Sequence, residues 1–348
     1  DATYQTARER AWGAVPEPSE DEAVWKVQGP GFIRAVQRVI PAADEMSTRY
    51  AFGSVLFEPG ATAYPDLDLS APAGLRMVAT DGRRIHIAAA PAPEGFTDPI
   101  PDILEKARPL VPAAGLGAVV GMASVMGPEE FRLSFPAGRA DLEFDWAAAG
   151  GMVRAWLPQG EGRFPTYRDA FGQGGAKLIL NITNGVDFRR CVQQAGVTNT
   201  EEFRGLFLEA DPVNQHIGLW SEAPDAGNSR VEVPCGTALI QAAQCHVIGQ
   251  FNSVYLGEVL DAMGAESWSL HAFKISRDVE SERDLTGPWE FRGDEFRAVG
   301  MPMTMAGNVP FRIVSSWLNG PLVAQDQDPP KPKARKPKSP KAPKAKAS

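Results

Sequence analysis

The residue types that most often carry enzyme chemistry are sparse in this sequence, and none of them has a recognised catalytic spacing. Gly172–Gly175 is rich in glycine, but no Gly-Lys-Ser/Thr follows it, so the segment is not a phosphate-binding loop. Cys245 and His246 are adjacent along the chain, which does not place a thiolate beside a base in space. The four histidines are scattered singly, and neither a Gly-x-Ser-x-Gly nor a His-Glu-x-x-His motif occurs. We therefore expect a protein that is not an enzyme and that needs no metal, nucleotide or redox cofactor.

The bulk composition is that of a packed cytoplasmic protein. Hydrophobic residues make up 43% of the 348 residues and charged residues 22%, which suits two domains. Residues 1–15 lack the apolar core of a signal peptide, and three cysteines are too few for a disulfide framework. The weakly polar run Leu110–Gly127 is mostly Gly and Ala and contains Pro112, so we expect a core segment or a loop rather than a membrane helix.

Charge is distributed unevenly along the chain. The formal net charge is −8, yet residues 329–348 hold eight Lys or Arg and no acid. The rest of the chain therefore carries 27 basic against 43 acidic residues, a balance that repels DNA unless the basic residues are concentrated on one surface. The low-complexity tail can bind DNA or an acidic partner, or serve as a solubilising spacer.

The apolar spacing predicts the same order of elements twice, namely a helix, a strand and further strands. Asp81-Gly82 predicts a hairpin turn inside one of these segments, and Gly196 and Gly264 are typical helix stops. The predicted helices are 31–43, 184–196 and 251–264, and the predicted strands are 49–58, 75–89 as a hairpin, 203–210, 216–221 and 229–233. Two similar α+β domains follow from this repeat.

Six segments together resemble the bacterial beta clamp, the processivity subunit of DNA polymerase III. They occur in the family's order: RYAFGSVLFE (49–58), VATDGRRIHI (78–87), EGRFPTYRDAF (161–171), TNTEEFRGLFLEA (198–210), FNSVYLGEVLDAM (251–263) and VGMPMTM (299–305). The resemblance covers about residues 23–305 and concerns the family's middle and last domains only.

The resemblance implies an α+β fold of repeated DNA-clamp domains, with helices lining the inside of a ring and antiparallel sheets outside. The implied organisation is an N-terminal arm (1–22), two clamp domains (23–170 and 176–305), a C-terminal extension (306–328) and a disordered basic tail (329–348).

The function implied is that of a DNA sliding clamp, which encircles duplex DNA without reading its bases and tethers a DNA polymerase. Six domains close the family's ring, so a chain with two domains is expected to form a homo-oligomeric trimer or to be a fragment of a longer protein. Loading needs a separate ATP-driven clamp loader in the family. The alternative is a clamp-derived accessory protein that does not encircle DNA, which the absence of a third domain, the acidic body and the extension favour.

The resemblance also implies two sets of site residues. The partner-peptide groove is expected to be formed by Phe52, Thr80, Gly82, Arg83, Arg84, Ile85, Pro165, Tyr255, Val299, Met301, Pro302 and Met303. The DNA-facing cations are expected to be Arg34, Arg38, Arg189 and Arg190, the alternative being an ordinary solvated helix face. The chain departs from the family at Asp169 and Ala170, where the family has a basic residue and valine, and at Thr304-Met305, where it has Arg-Leu. These departures bear on which peptide the groove accepts.

Overall fold

The structure is a computed structural model, and it describes residues 23–47, 51–59, 74–94, 109–135, 141–148, 151–172, 175–211, 213–243, 247–264, 267–273 and 287–301. The chain divides into two units after residue 305, and all described residues belong to the first. The expected N-terminal arm, C-terminal extension and basic tail lie outside the described residues, as do Pro302, Met303 and the Cys245-His246 pair.

The described residues form four α-helices and 17 strands. The helices are α1 (Gly29–Val39), α2 (Ala113–Met126), α3 (Gly185–Ala195) and α4 (Ser253–Met263). The strands are β1 (Ala23–Gln28), β2 (Ser54–Pro59), β3 (Leu75–Thr80), β4 (Arg84–Ala90), β5 (Leu110–Pro112), β6 (Glu130–Phe135), β7 (Asp141–Ala148), β8 (Gly151–Pro158), β9 (Leu178–Ile182), β10 (Gly205–Asp211), β11 (His216–Ala223), β12 (Gly227–Glu232), β13 (Ala238–Ala243), β14 (Val247–Asn252), β15 (Trp268–Ala272), β16 (Trp289–Arg292) and β17 (Phe296–Gly300).

A strand, a helix and three strands follow one another four times, which makes the two halves of the chain equivalent. β1-α1-β2-β3-β4 and β5-α2-β6-β7-β8 form the first half, and β9-α3-β10-β11-β12 and β14-α4-β15-β16-β17 form the second, with β13 added. Pairing is antiparallel and follows the same plan in each half: β1 pairs with β6 and β2 with β5, as β9 pairs with β15 and β10 with β14. By this equivalence β12 corresponds to β4, and β17 corresponds to β8.

One pair of strands joins the two halves, and we call it the seam. β17 pairs antiparallel with β4, so strands of both halves merge into one nine-stranded sheet in the order β13-β9-β15-β16-β17-β4-β3-β2-β5. The other two sheets, β1-β6-β7-β8 and β12-β11-β10-β14, end at β8 and β12. The seam therefore joins the second half to the first through one continuous sheet.

The helices pack side by side in the order α2, α1, α4, α3, and the core lies between this layer and the sheets. Phe32 is buried on α1 and its ring lies 4.8 Å from that of Phe131, whereas Phe188 is buried on α3 and its ring lies 5.5 Å from that of Trp268. Both phenylalanines are the fourth residue of their helix. The repeat is thus present in the core packing as well as in the order of elements.

Local signals explain the helices at 184–196 and 251–264, and the structure confirms both predictions. The Asn184 side chain accepts the Asp187 N–H at the start of α3, and the Asn252 side chain accepts the Val254 N–H at the start of α4. The α4 helix ends at Gly264, whose φ of +74° suits glycine.

The segment Leu110–Gly127 differs from the expectation of a core segment or loop, because most of it is the 14-residue helix α2. Its buried residues include Leu116 and Val120, but its exposed face is also apolar, with Met122 and Val125 in solvent. A helix with apolar residues on both faces shows no amphipathic pattern in sequence. None of the described helices combines the length and the apolar character needed to cross a membrane.

The strand expected at 49–58 begins at Ser54, later than the sequence pattern predicted.

Candidate partner groove and helical face

The turn between β3 and β4 is built by side-chain hydrogen bonds of its own residues. The Asp81 Oδ1 atom accepts the backbone N–H groups of Arg83 and Arg84 at 2.8 and 3.0 Å. The Thr80 hydroxyl donates to the Arg84 carbonyl at 2.6 Å and accepts the Gly82 N–H. Gly82 has a φ of +82°, which favours glycine. This network fixes the two arginines at the end of β4, next to the seam.

Tyr255 lies in the first turn of α4, and both arginines of the β3–β4 turn contact it. The Arg84 guanidinium lies over the Tyr255 ring, 4.3 Å from its centroid, and Arg83 Nη1 donates to the Tyr255 hydroxyl at 3.0 Å. Arg84 is nearly buried, pairs with Glu258 and Asp81, and donates to the Pro41 carbonyl. Burial lowers the pKa of Arg84, whereas the hydrogen bond to Tyr255 raises the pKa of exposed Arg83. The two arginines therefore differ: Arg84 is locked in place and Arg83 remains at the surface.

A small pocket opens beside Tyr255, and this pocket is the centre of the candidate groove. Arg83, Arg84, Tyr255 and Met301 line it, and the Met301 N–H donates to the Arg83 carbonyl at 3.0 Å. Its remaining walls include Phe251, Leu256, Val259 and Phe291, which the sequence did not single out. These residues are buried core positions of α4 and the sheet, so their apolar type alone gave no sign of a pocket. The pocket thus has a cationic rim and a floor of buried aromatic and aliphatic side chains.

The other residues expected in the groove lie around this pocket with different exposures. Ile85 and Val299 are opposite one another across the seam and are buried, so they support the groove from beneath and offer little surface. The Phe52 ring lies against Gly82, where an added Cβ would meet it at 3.3 Å. Pro165 lies in the segment that connects the two halves, where its carbonyl accepts the Tyr167 N–H.

This connecting segment is anchored by a buried polar network that the sequence did not reveal. The Tyr167 hydroxyl donates to Glu58 Oε2 at 2.6 Å, and Arg168 and Arg76 pair with the same carboxylate at 3.2 and 3.9 Å. Burial is the main cause that raises the pKa of Tyr167. Tyr167 also packs with Ile85, Val299 and their neighbours in a small apolar cluster. The GRFP-Y segment thus holds the connection against the sheet beside the seam.

Each of the four arginines expected to face DNA has an acidic partner. Arg34 and Arg38 of α1 both reach Glu295, at 3.8 and 3.7 Å. In the second half, Arg189 of α3 pairs with Asp261 of α4, and Arg190 pairs with Asp187 at 3.3 Å. Arg34, Arg189 and Arg190 are well exposed, so these ion pairs are weak individually.

The helical layer as a whole carries almost no net charge. α1 contributes two arginines and α3 two arginines and Asp187, while α4 contributes Glu258 and Asp261. α2 has no charged residue, and Met122, Val125 and Met126 are exposed on it. A phosphate backbone approaching these helices would have to displace acids from the arginines. Within the described residues, no group of His, Cys, Asp or Glu is arranged to hold a metal ion.

The folding pattern agrees with what comparisons with known proteins show. The chain has the sliding-clamp fold. It is similar to the DNA polymerase sliding clamp of Pseudomonas aeruginosa (TM-score 0.61, 18% identity, covering 84% of this chain and 69% of that one). It is also similar to the beta sliding clamp of C. crescentus (TM-score 0.62, 21% identity, 84% and 69%) and to DNA polymerase III subunit beta of Borrelia burgdorferi (TM-score 0.63, 14% identity, 86% and 69%). The predicted α+β fold of repeated clamp domains is confirmed.

Sequence comparison identifies the same kind of relative. The beta sliding clamp of Caulobacter vibrioides is 30% identical over 159 residues, which cover 46% of this chain and 38% of the relative. The beta sliding clamp of Pseudomonas putida is 24% identical over 278 residues, covering 78% of this chain and 63% of the relative. The chain therefore spans less than two thirds of the length of either curated relative. No family model matches the chain. The predicted resemblance to the beta subunit of DNA polymerase III is confirmed.

Proposed function

We propose that this protein is a DNA sliding clamp, a non-enzymatic processivity factor that encircles duplex DNA in the cytoplasm. The repeated clamp fold with its head-to-tail seam is the observation that carries this proposal. The protein tethers a DNA polymerase and other partners by a peptide bound in the groove beside Tyr255. We expect a separate ATP-driven loader to open the ring, as in the family that the sequence resembles.

The internal repeat supports a specific mode of assembly. β4 and β17 pair within the chain, and their counterparts β12 and β8 are end strands of their sheets. If β8 of one copy pairs with β12 of the next, the seam is reproduced between chains. Three copies then supply six clamp domains with closed cyclic symmetry. Met152 and Trp156 are exposed on β8, and an exposed apolar edge strand favours pairing with another chain.

The first experiment is the solution mass by light scattering over a concentration series. A trimer has a mass near 112 kDa, three times the 37.5 kDa of one chain. A stable trimer supports the ring, and a persistent monomer overturns it.

A second measurement tests encirclement: a ring loaded on nicked circular plasmid stays bound, and linearising the plasmid releases it. Equal retention on both forms contradicts a sliding ring.

Met152→Asp tests the edge that we assign to the interface. Met152 is 60% exposed on β8, and burying a carboxylate there raises the dissociation constant of the trimer about tenfold or more. Met46→Asp is the matched control, because Met46 is 89% exposed and lies outside both end strands. A trimer that tolerates Met152→Asp as well as Met46→Asp refutes pairing through β8.

A second candidate is a clamp-derived accessory protein that does not encircle DNA. The near-neutral helical layer favours it, because four arginines with acidic partners and an apolar α2 provide little positive potential for a hole. A monomeric mass with no retention on circular DNA supports this candidate over the ring.

A further inference from the structure

The arginines of the helical layer are held by acids that reach them from other elements. Glu295, in the turn between β16 and β17, lies 3.8 Å from Arg34 and 3.7 Å from Arg38 of α1. Asp261 of α4 pairs with Arg189 of α3. The two distances from Glu295 exceed those of a hydrogen bond, so these pairs are held by charge alone, and both acids are well exposed. A stronger acceptor can therefore take over the arginines without disturbing the fold.

A cavity of about 280 Å³ lies between α1 and α4 and opens beside these ion pairs. α1 contributes Arg34 and Arg38 to its lining, and α4 contributes Glu258 and Asp261. Glu258 pairs with Arg84 of β4, whereas Asp261 pairs with an arginine of the helical layer itself. A phosphate group that enters this cavity meets two guanidinium groups, with which it forms charge-assisted hydrogen bonds, and a carboxylate that repels it.

The internal repeat shows that the fold does not require an acid at the position of Asp261. α2 ends at Gly127 and α4 ends at Gly264; both glycines have a positive φ, and the N–H of each bonds to the carbonyl four residues earlier. The residue three positions before this glycine is Asp261 in α4 and Ser124 in α2. The same place in the repeat therefore accepts an uncharged side chain.

The position of Glu295 gives the same result. Ala155 of β8 and Ala298 of β17 each face a buried phenylalanine of the preceding strand, so these alanines are equivalent in the repeat. The residue three positions before the alanine is Met152 in the first half and Glu295 in the second. Because the fold accepts uncharged residues at both places, the two acids are explained by the arginines that they contact rather than by packing.

We infer that Glu295 and Asp261 act as a charge screen, which competes with DNA phosphate for the arginines of α1 and α3 and so weakens the grip of the helical layer on duplex DNA. This inference rests on the proposed function and goes beyond it by giving these acids a role in DNA binding. Each phosphate has to displace a carboxylate before it contacts a guanidinium, and the carboxylate recaptures the arginine when the phosphate moves on. The charge screen therefore shortens each contact, which favours sliding over a fixed grip.

The test measures binding of the full chain to a short fluorescein-labelled DNA duplex by fluorescence anisotropy at low salt. Glu295→Gln releases two arginines and is expected to tighten binding about three- to tenfold, and Asp261→Asn releases one and tightens it about two- to fivefold. Glu202→Gln is the matched control, because it removes the same charge from an exposed position outside the helical layer. Residues 329–348 are the same in every variant, so any contribution of the basic tail cancels in the ratios.

A variant with Arg34→Gln and Arg38→Gln separates release of the arginines from a general loss of negative charge. In this background Glu295→Gln is expected to tighten binding no more than Glu202→Gln does. Equal affinities of Glu295→Gln and Glu202→Gln in the otherwise unmodified protein overturn the inference while DNA binding stands. If the unmodified protein and every variant fail to bind the duplex and are not retained on circular plasmid, the proposed clamp function falls and the inference falls with it.

Discussion

His86 provides the sharpest test of the packing at the seam. It is fully buried on β4, opposite Ala298 of β17, and its ring meets Phe296 edge-on with centroids 5.3 Å apart. Its Nδ1 lies 2.8 Å from the carbonyl oxygen of Arg38, so Nδ1 carries the hydrogen and donates. Its Nε2 is buried without a hydrogen-bond partner among the described residues. Protonation would therefore create a buried N–H with no acceptor.

The structure gives the size and direction of the resulting pH dependence. Burial lowers the pKa of His86 from 6.5 to about 4, with a smaller contribution from nearby Arg84. The unfolded chain takes up the proton between pH 6.5 and 4, and the folded chain does not. The stability contribution is thus complete above pH 6.5 and is lost as the pH falls towards 4. Linkage gives a loss of about 2 kcal/mol from this residue between pH 8 and pH 5.

The assay is urea unfolding of the unmodified protein and of His86→Gln at pH 8 and pH 5, so that all other titrating groups cancel in the difference. We expect His86→Gln to lose about 2 kcal/mol less than the unmodified protein between the two pH values. Phe296→Leu is the matched control, because it weakens the same contact but retains the imidazole and its pH dependence. If the unmodified protein and His86→Gln lose the same free energy of unfolding between pH 8 and pH 5, the reasoning about burial at the seam is wrong.

Two further predictions concern the connecting segment and the helical face. Tyr167→Phe removes the hydroxyl that donates to buried Glu58, and we expect it to lower the free energy of unfolding by about 1.5–3 kcal/mol. Urea denaturation measures this, and a change below about 0.5 kcal/mol would show that the hydroxyl is not anchoring the segment. On the proposed function, replacing Arg34 and Arg38 by Gln is expected to flatten the slope of log K against log salt for binding to duplex DNA by about 1.8. An unchanged slope means that both arginines stay paired with Glu295 rather than contacting phosphate.

The sequence determined the elements whose signals are local. Asn184 caps the start of α3, Asn252 caps the start of α4, and Gly264 ends α4. Because these signals are local, both helices were predictable from the sequence. Asp81 likewise determines the β3–β4 turn by accepting bonds from residues two and three positions away, and Gly82 contributes a φ of +82°. The repeated order of these elements was enough to suggest two similar halves. α2 escaped prediction because its exposed face is as apolar as its buried one.

Only the tertiary structure decided which distant residues meet. The Arg83–Tyr255 bond joins residues 172 positions apart, and it exists because β4 pairs with β17 and brings α4 against the turn. The acids that neutralise Arg38 and Arg189 come from other elements, Glu295 and Asp261. A helix pattern predicts which face a charge occupies but not what lies opposite it. Those partners depend on strand register and helix packing, which are set by the whole core at once.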